Sequence, residues 1–145
     1  SEGPMPPSGI SGFVKSYGTI ISNTTVINGN NTPVRAFSMV WVFNNSASAM
    51  AQYNHLNSIN IQQHVQFGLN LSNFTTPKIG NATSGAVLWP ERFQPGGIGL
   101  KVFIINFAYK NIAVRIGVYE HINSTSPAAA IYLAQKMLLN IQGAT

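Results

Sequence analysis

Residues 100–120, LKVFIINFAYKNIAVRIGVYE, decide the fold, because two apolar segments with alternating side chains follow each other across a very short polar break. The break is Lys110-Asn111, and asparagine tolerates the positive φ that a two-residue hairpin turn requires. The sequence therefore predicts two paired strands, at 100–109 and 112–120. One face of the second strand carries branched apolar side chains, Ile112, Val114, Ile116 and Val118.

A helix is predicted after this hairpin. Ser126 is a suitable N-cap, Pro127 fits the first helical position, and Gly143 is expected to end the helix. Apolar residues recur at helical spacing between these signals and form one stripe: Ala130, Leu133, Ala134, Met137, Leu138 and Ile141. The stripe predicts a closing helix that packs on the sheet.

The chain before residue 60 contains two further strands and a short helix. The strands are expected at 12–22 and 34–43, joined by a turn-rich connection with its tight turn at 28–29. The second strand is apolar on both alternating faces, which predicts that both faces are covered. Asn45 or Ser46 caps a helix that is expected to reach about residue 58.

The middle of the chain is predicted to hold a strand at 64–71, a loop at 72–85 and a short extended piece at 86–89. The complete order is then β-β-α-β-β-β-β-α. This order predicts an α+β fold, a mostly antiparallel sheet flanked by helices as an α/β/α sandwich.

The length of 145 residues suits one domain with one core. The first nine residues, SEGPMPPSG, are rich in proline and glycine and are interpreted as a linker or tail. Residues 10–145 are interpreted as a single globular domain. The chain has no cysteine, so this domain holds no disulfide, thiol nucleophile or zinc–thiolate site.

The segments FAYKNIAVRIGVY (107–119) and SPAAAIYLAQKMLLNI (126–141) resemble the hairpin and closing helix of PsbP/Mog1-like domains. The resemblance covers most of the chain by topology and about thirty residues by pattern. It implies an antiparallel sheet flanked by helices, in a group whose members act mostly as accessory or interaction modules. It carries over no catalytic residue and no cofactor.

The composition is polar but poor in charge. Charged residues are 8% of the chain and aspartate is absent, while there are sixteen asparagines, thirteen serines and nine threonines. Few groups therefore couple stability to protonation, which favours an acidic or variable external medium. The net charge is +5, but the eight basic residues form no cluster, so nucleic acid is not expected as a partner.

Seven asparagines stand in Asn-x-Ser/Thr sequons, where two or three are expected by chance. They are Asn23, Asn30, Asn44, Asn70, Asn73, Asn81 and Asn123. The excess predicts glycan acceptors on an exported chain, although asparagine-rich turns beside serine and threonine also create such triplets. The expected location is extracellular or on the cell surface, with any membrane contact made through a removed or missing anchor.

Known catalytic arrangements are hard to build from this sequence. The acids are Glu2, Glu91 and Glu120, and nothing in the sequence brings the last two together as an acid–base pair. The histidines lack metal-ligand spacing, no GxSxG motif is present, and Gly96-Gly97-Ile98-Gly99 leads into a strand rather than a helix. No metal, cofactor or catalytic residue is assigned.

Three residues are candidates for ligand or partner contact: Trp89 beside Pro90, Glu91 in the following loop, and His121 after a strand. Three functions remain open. The first is a non-catalytic extracytoplasmic domain that contacts other envelope or surface proteins, including self-assembly. The second is a binding domain for a small ligand or carbohydrate, and the third is a hydrolase of unrecognised type.

Overall fold

The computed structural model describes residues 3–27, 30–90 and 100–144. They form one six-stranded antiparallel sheet in the order β1-β2-β6-β5-β4-β3, with two helices. The predicted α+β class and element order are confirmed. The elements are β1 Phe13–Ile27, β2 Asn30–Phe43, α1 Ser46–Phe67, β3 Leu69–Phe74, β4 Ala82–Pro90, β5 Leu100–Tyr109, β6 Ile112–His121 and α2 Ala128–Ala144.

The helices cover opposite faces of the sheet, because side chains alternate along each strand. One face of β5 and β6 packs against Ala130 and Ala134 of α2, and its buried residues include Phe107 and Val114. On the other face, a second cluster joins α1 to the sheet, with Trp41, Phe43, Ala49, Leu56 and Ala113 at its centre. The architecture is an α/β/α sandwich.

The predicted hairpin is present as β5 and β6, at the centre of the sheet. The positive φ lies at Lys110, at 52°, and not at Asn111 as the sequence suggested. Asn111 has a different role, because its Nδ2 donates to the carbonyl of Phe43 at 2.6 Å and its own carbonyl accepts from the Phe43 amide at 2.9 Å. The turn is thereby held against the end of β2.

The closing helix α2 begins as expected and ends differently. The amide of Ala128 donates to Ser126 Oγ at 3.2 Å, which confirms the N-cap. The apolar stripe faces the sheet as predicted. The prediction that Gly143 ends the helix was wrong, since Gly143 lies within α2 and is not among the glycines with positive φ.

Helix α1 is longer than predicted. Asn45 caps it by accepting from the Ser48 amide at 2.8 Å, and Gly68 ends it in the left-handed conformation with φ of 63°. His64 therefore lies in the helix, and the predicted strand at 64–71 is wrong in its first half. Between residue 58 and Gly68 there is no proline or glycine to end the helix.

The neighbouring loops are shorter than predicted. Strand β3 continues to Phe74 and β4 starts at Ala82, so both ends of the predicted loop at 72–85 are strand. Similarly, β1 and β2 pair as far as Ile27 and Asn30, where a turn-rich connection was expected. The predicted tight turn at 28–29 lies outside the described residues.

The N-terminal segment lies on the sheet. The amide of Gly3 donates to the Ser16 carbonyl at 3.1 Å, and Trp41 Nε1 donates to the Pro4 carbonyl at 2.8 Å. The described residues 3–9 thus contact the domain. The division into a linker at 1–9 and a domain at 10–145 stays a prediction.

Candidate functional site

The central residue of the candidate site is Arg115, which projects from β6 toward α1 and is 4% exposed. Its Nη1 donates to the Leu56 carbonyl at 3.2 Å and to Asn106 Oδ1 at 3.3 Å. Its Nη2 donates to Asn60 Oδ1 at 2.8 Å. The guanidinium is therefore fixed between two turns of α1 and the neighbouring strand β5.

A layer of amides extends this network. Asn57 Oδ1 accepts both Asn106 Nδ2, at 2.9 Å, and Ser84 Oγ, at 2.6 Å. Asn106 is fully buried and bonds to both Arg115 and Asn57. The layer connects α1 to β4, β5 and β6, and it holds the guanidinium in one position.

The charge of Arg115 has no carboxylate partner among the described residues. Glu2 and Glu91 lie outside them, and Glu120 projects to the opposite face of the sheet because it alternates with Tyr119. Burial lowers the pKa of Arg115 to about 10, against a smaller opposing effect of Tyr119. The group is still protonated at neutral pH, so a positive charge is buried among neutral acceptors.

Arg115 lines a cavity of about 260 Å³ between α1 and the sheet. Helix α1 contributes Gln52 and His55, the sheet contributes Trp41, and the N-terminal segment contributes Pro4 and Pro7. This volume is slightly below the usual range of about 300–1,000 Å³ for small-molecule sites. The cavity is therefore of a size for a small compound.

Gln52 is a second polar group buried in the cavity wall. Its side chain is 2% exposed, and its Oε1 has no hydrogen-bond partner in the described part of the chain. An unsatisfied buried polar atom costs about 1–3 kcal/mol of stability. The oxygen is itself inaccessible, so it lies behind the cavity surface and not on it.

A second groove, of about 740 Å³, adjoins this cavity along β1 and β2. It shares Pro4, Phe37, Met39 and Tyr119 with the cavity. Its own basic side chain, Arg35, is exposed. The groove is larger but contains no buried polar side chain, so the smaller cavity is the better candidate.

Two of the three contact residues predicted from the sequence, Trp89 and His121, do not line this cavity. Trp89, at the end of β4, is half-buried on the α2 face, and Lys101 Nζ lies 5.7 Å from its ring centroid. His121 is exposed on the other face, where its Nδ1 accepts from the Asn123 amide at 3.1 Å. Glu91 lies outside the described residues. A contact role for these three residues stays a prediction.

The predicted sequons lie mostly at the surface. Asn44, Asn73, Asn81 and Asn123 are exposed, while Asn70 in edge strand β3 is half-buried. Asn23 and Asn30 lie in β1 and β2. Exposure is compatible with glycan attachment, which stays a prediction.

No group of three or more His, Cys, Asp or Glu side chains comes together in the residues that the structure describes. Within the same residues, no helix is both long and apolar enough to cross a membrane. The side chains around Arg115 offer hydrogen bonds, a positive charge and apolar contact.

The sequence does contain a signal for this site. Arg115 and Asn106 each interrupt a run of apolar residues in the middle of a strand, in IAVRIGVY and VFIINFAY. Charged side chains are almost never fully buried unless they are paired, so an arginine in the middle of an apolar strand points to a specific set of partners. Gln52 gives no comparable signal, because a glutamine in an amphipathic helix is normally exposed.

Glu120 is a half-buried ionisable group on the α2 face. Burial raises its pKa above the ordinary 4.5, against the hydrogen bond from Ser124 and the charge of Lys101. The folded state therefore binds the proton more tightly than the unfolded state, and this stabilisation is lost as pH rises through the folded pKa. Its Oε2 is buried, with no hydrogen-bond partner among residues 3–27, 30–90 and 100–144.

We expect Glu120→Gln to raise the melting temperature at pH 7, because the neutral amide avoids the cost of a desolvated carboxylate. At pH 4, where Glu120 itself is mostly protonated, the variant and the parent should melt at nearly the same temperature. Thermal unfolding followed by circular dichroism at both pH values measures the effect. A variant that melts below the parent at pH 7 would contradict the sign of the pKa shift.

Comparison with known proteins shows that this chain is similar in fold to a solved structure. No protein-family model matches the chain, and no curated protein matches it, so the resemblance to PsbP/Mog1-like domains stays a prediction. Among solved structures, the extracellular domain of PknH from Mycobacterium tuberculosis is similar, with a TM-score of 0.56 and 12% sequence identity. The alignment covers 92% of this chain and 68% of that one.

Proposed function

We propose that this chain is an extracytoplasmic binding domain that holds a small organic molecule in the cavity beneath α1. The observation that carries the proposal is the cavity itself, whose wall contains the buried Arg115 with no carboxylate partner among the described residues. A buried charge without a counter-ion costs folding free energy. A bound ligand that pairs with the guanidinium recovers part of this cost.

The extracytoplasmic location is supported by the excess of sequons and by the low content of charged residues. It is also supported by the similarity to a domain described as extracellular. If the location is right, enzymatic removal of N-linked glycans should reduce the mass of the protein isolated from its natural source. An unchanged mass would show that the sequons are not glycosylated, and they would then no longer support this location.

Ligand binding is tested most directly through Trp41, which lines the cavity. In a Trp89→Phe background, Trp41 is the remaining tryptophan, so its emission reports on the cavity. We expect a saturable change in emission, with a higher melting temperature, when the protein is titrated with a panel of small neutral and anionic organic compounds.

A matched pair of variants locates the binding. Ile59 lines the cavity, whereas Ile61 is 58% exposed on the same helix. Ile59→Trp should fill the cavity and abolish the response of the melting temperature, and Ile61→Trp should leave it intact. Equal responses in the two variants would place the ligand elsewhere and contradict the proposal.

A second function, contact with other surface proteins or with a second copy, is favoured by a separate observation. Ile61 and Val65 lie one turn apart near the end of α1, and they are exposed by 58% and 74%. Exposed apolar side chains in one area often mark a protein interface. If no compound affects Trp41, and Ile61→Ser/Val65→Ser converts an oligomer to a monomer in sedimentation, the contact function replaces the binding function.

A further inference from the structure

We propose that the surface under the N-terminal segment docks an extended, proline-rich segment of another protein, with an acidic residue on the N-terminal side of its prolines. Residues 3–9, which we call the strap, occupy part of this surface in the structure. The contacts of the strap carry the proposal, which therefore does not depend on small-molecule binding in the cavity.

The strap is a proline-rich chain that lies against a tryptophan. It contains Pro4, Pro6 and Pro7, and each proline fixes its own φ and restricts the residue before it to extended conformations. An extended polyproline II backbone makes no internal hydrogen bonds, so its carbonyls are free to accept from a neighbour. Trp41 Nε1 donates to the Pro4 carbonyl at 2.8 Å. Aromatic-lined grooves bind proline-rich segments in this extended form.

The strap buries little of its own surface. Pro4 and Met5 are exposed, Met5 by 73%. Glycines flank the prolines, and one of them, Gly12, has a φ of 77° at the connection to β1. A segment with few buried apolar contacts opens at a low free energy. A competing segment can therefore replace the strap while the rest of the domain stays folded.

The groove along β1 and β2 continues the surface on which the strap lies. Gly3 and Pro4 line this groove, whereas Met5 and Pro7 line the cavity alone. The groove therefore extends from the N-terminal end of the strap. Its volume of about 740 Å³ gives a longer segment room that the strap does not use.

Apolar side chains line the groove and supply the affinity that a competing segment needs. Phe37 and Tyr119, whose ring centroids lie 6.1 Å apart, line both the cavity and the groove. Ile20 of edge strand β1 is 76% exposed in the groove, and Leu100 is exposed beside it. A strap on the same chain competes with an effective concentration on the order of millimolar. Burial of these further apolar side chains by a longer segment offsets that competition.

The groove also contains a basic side chain. Arg35 is exposed, and it is the one charged residue that lines the groove in the described part of the chain. The net charge of +5 likewise favours an acidic partner. From Met39 to Arg35, β2 spans about 13 Å at about 3.3 Å per residue. A polyproline II segment covers this length with about four residues. An acidic residue about four positions before the prolines therefore reaches Arg35.

Calorimetry with synthetic peptides and the full chain tests the docking. The probe is a peptide with one glutamate four residues before a P-x-x-P motif, and its control has alanine at both motif prolines. We expect the probe to bind at least about 10-fold more tightly than the control, because proline pre-organises the extended backbone.

A weakened strap should increase the affinity for the probe. Pro4→Ala combined with Pro7→Ala makes the strap a poorer competitor, so the probe should bind about 10-fold more tightly to this variant than to the unchanged chain. The matched control is Pro77→Ala, because Pro77 is exposed and lines neither the cavity nor the groove. This control should leave the affinity unchanged.

A pair of variants on β1 locates the peptide. Ile20→Ser removes apolar surface from the groove and should weaken the probe about 5–10-fold. Val14 is 56% exposed on the same strand but lines neither the groove nor the cavity, so Val14→Ser should have no effect. Arg35→Gln should weaken the probe and leave a peptide with glutamine in place of the glutamate unaffected. Melting temperatures without peptide show whether each variant keeps its fold.

Four outcomes would overturn the proposal. The first is equal affinity for the probe and its alanine control, and the second is no binding to the variant with the weakened strap. The third is a probe that binds the Ile20→Ser and Val14→Ser variants equally well. The fourth is a dimer of the unchanged chain in sedimentation that the Pro4→Ala/Pro7→Ala variant does not form, because the occupant would then be the strap of a second copy.

Discussion

Replacement of Asn106 by leucine is expected to lower the free energy of unfolding by about 3 kcal/mol, the upper part of the range for a buried group left without its partner. Asn106 accepts a bond from the buried Arg115 and donates one to Asn57. Leucine has the same branching as asparagine but cannot form these hydrogen bonds, and its two methyl groups add volume at a fully buried position, so both effects contribute to the cost. The buried guanidinium of Arg115 then loses one of its three hydrogen-bond acceptors, and water does not replace it.

Chemical denaturation followed by circular dichroism measures this effect. The matched control is Asn54→Leu, because Asn54 is an exposed residue of α1. We expect the control to change the free energy of unfolding by less than about 0.5 kcal/mol. Equal effects of the two substitutions would show that the amide layer does not support Arg115.

Replacement of Gly80 by alanine is expected to destabilise the protein by a similar amount, about 3 kcal/mol. Gly80 has a φ of 71°, and a methyl group there would lie 2.5 Å from the carbonyl oxygen of Ala108. That oxygen accepts the Asn81 amide at 2.7 Å, at the start of the pairing between β4 and β5. The added carbon must displace backbone atoms, because its nearest neighbour is a carbonyl oxygen and not the end of a flexible side chain.

Gly68→Ala is the control for Gly80→Ala. Gly68 has a φ of 63°, and nothing lies within 4 Å of the position that a methyl group would take there. The control therefore carries the cost of the left-handed conformation without the clash, about 1 kcal/mol. The difference between the two variants in urea unfolding isolates the steric part, and no difference would contradict the close approach to Ala108.

The sequence predicted a structural element correctly where its local signals were strong and complete. The hairpin was predictable because two long apolar segments flank a two-residue turn, and α2 because a cap, a proline and an apolar stripe agree. The segment after residue 58 was wrongly predicted because its alternation resembles a strand. The structure extends α1 to Phe67, and Gly68, the first glycine after the start of the helix, ends it in the left-handed conformation.

The candidate site was not predictable in the same way. Its polar groups come from α1, β4, β5 and β6, and residues as far apart as Asn57 and Asn106 share a hydrogen bond. No local pattern relates positions at that separation. The sequence directed attention to Trp89, Glu91 and His121, because exposed aromatic, acidic and imidazole groups are common in contacts. Neither Trp89 nor His121 lines the cavity.

The sequence by itself determined the α+β class, the element order and the central hairpin, because these follow from the alternation of apolar residues and from local turn and cap chemistry. The tertiary structure decided where Arg115 points and what surrounds it. In β6, alternation places Arg115 on the face away from α2, and the packing of α1 across that face then buries its charge among amides. Burial of a charge is a property of packed neighbours, which no single segment contains.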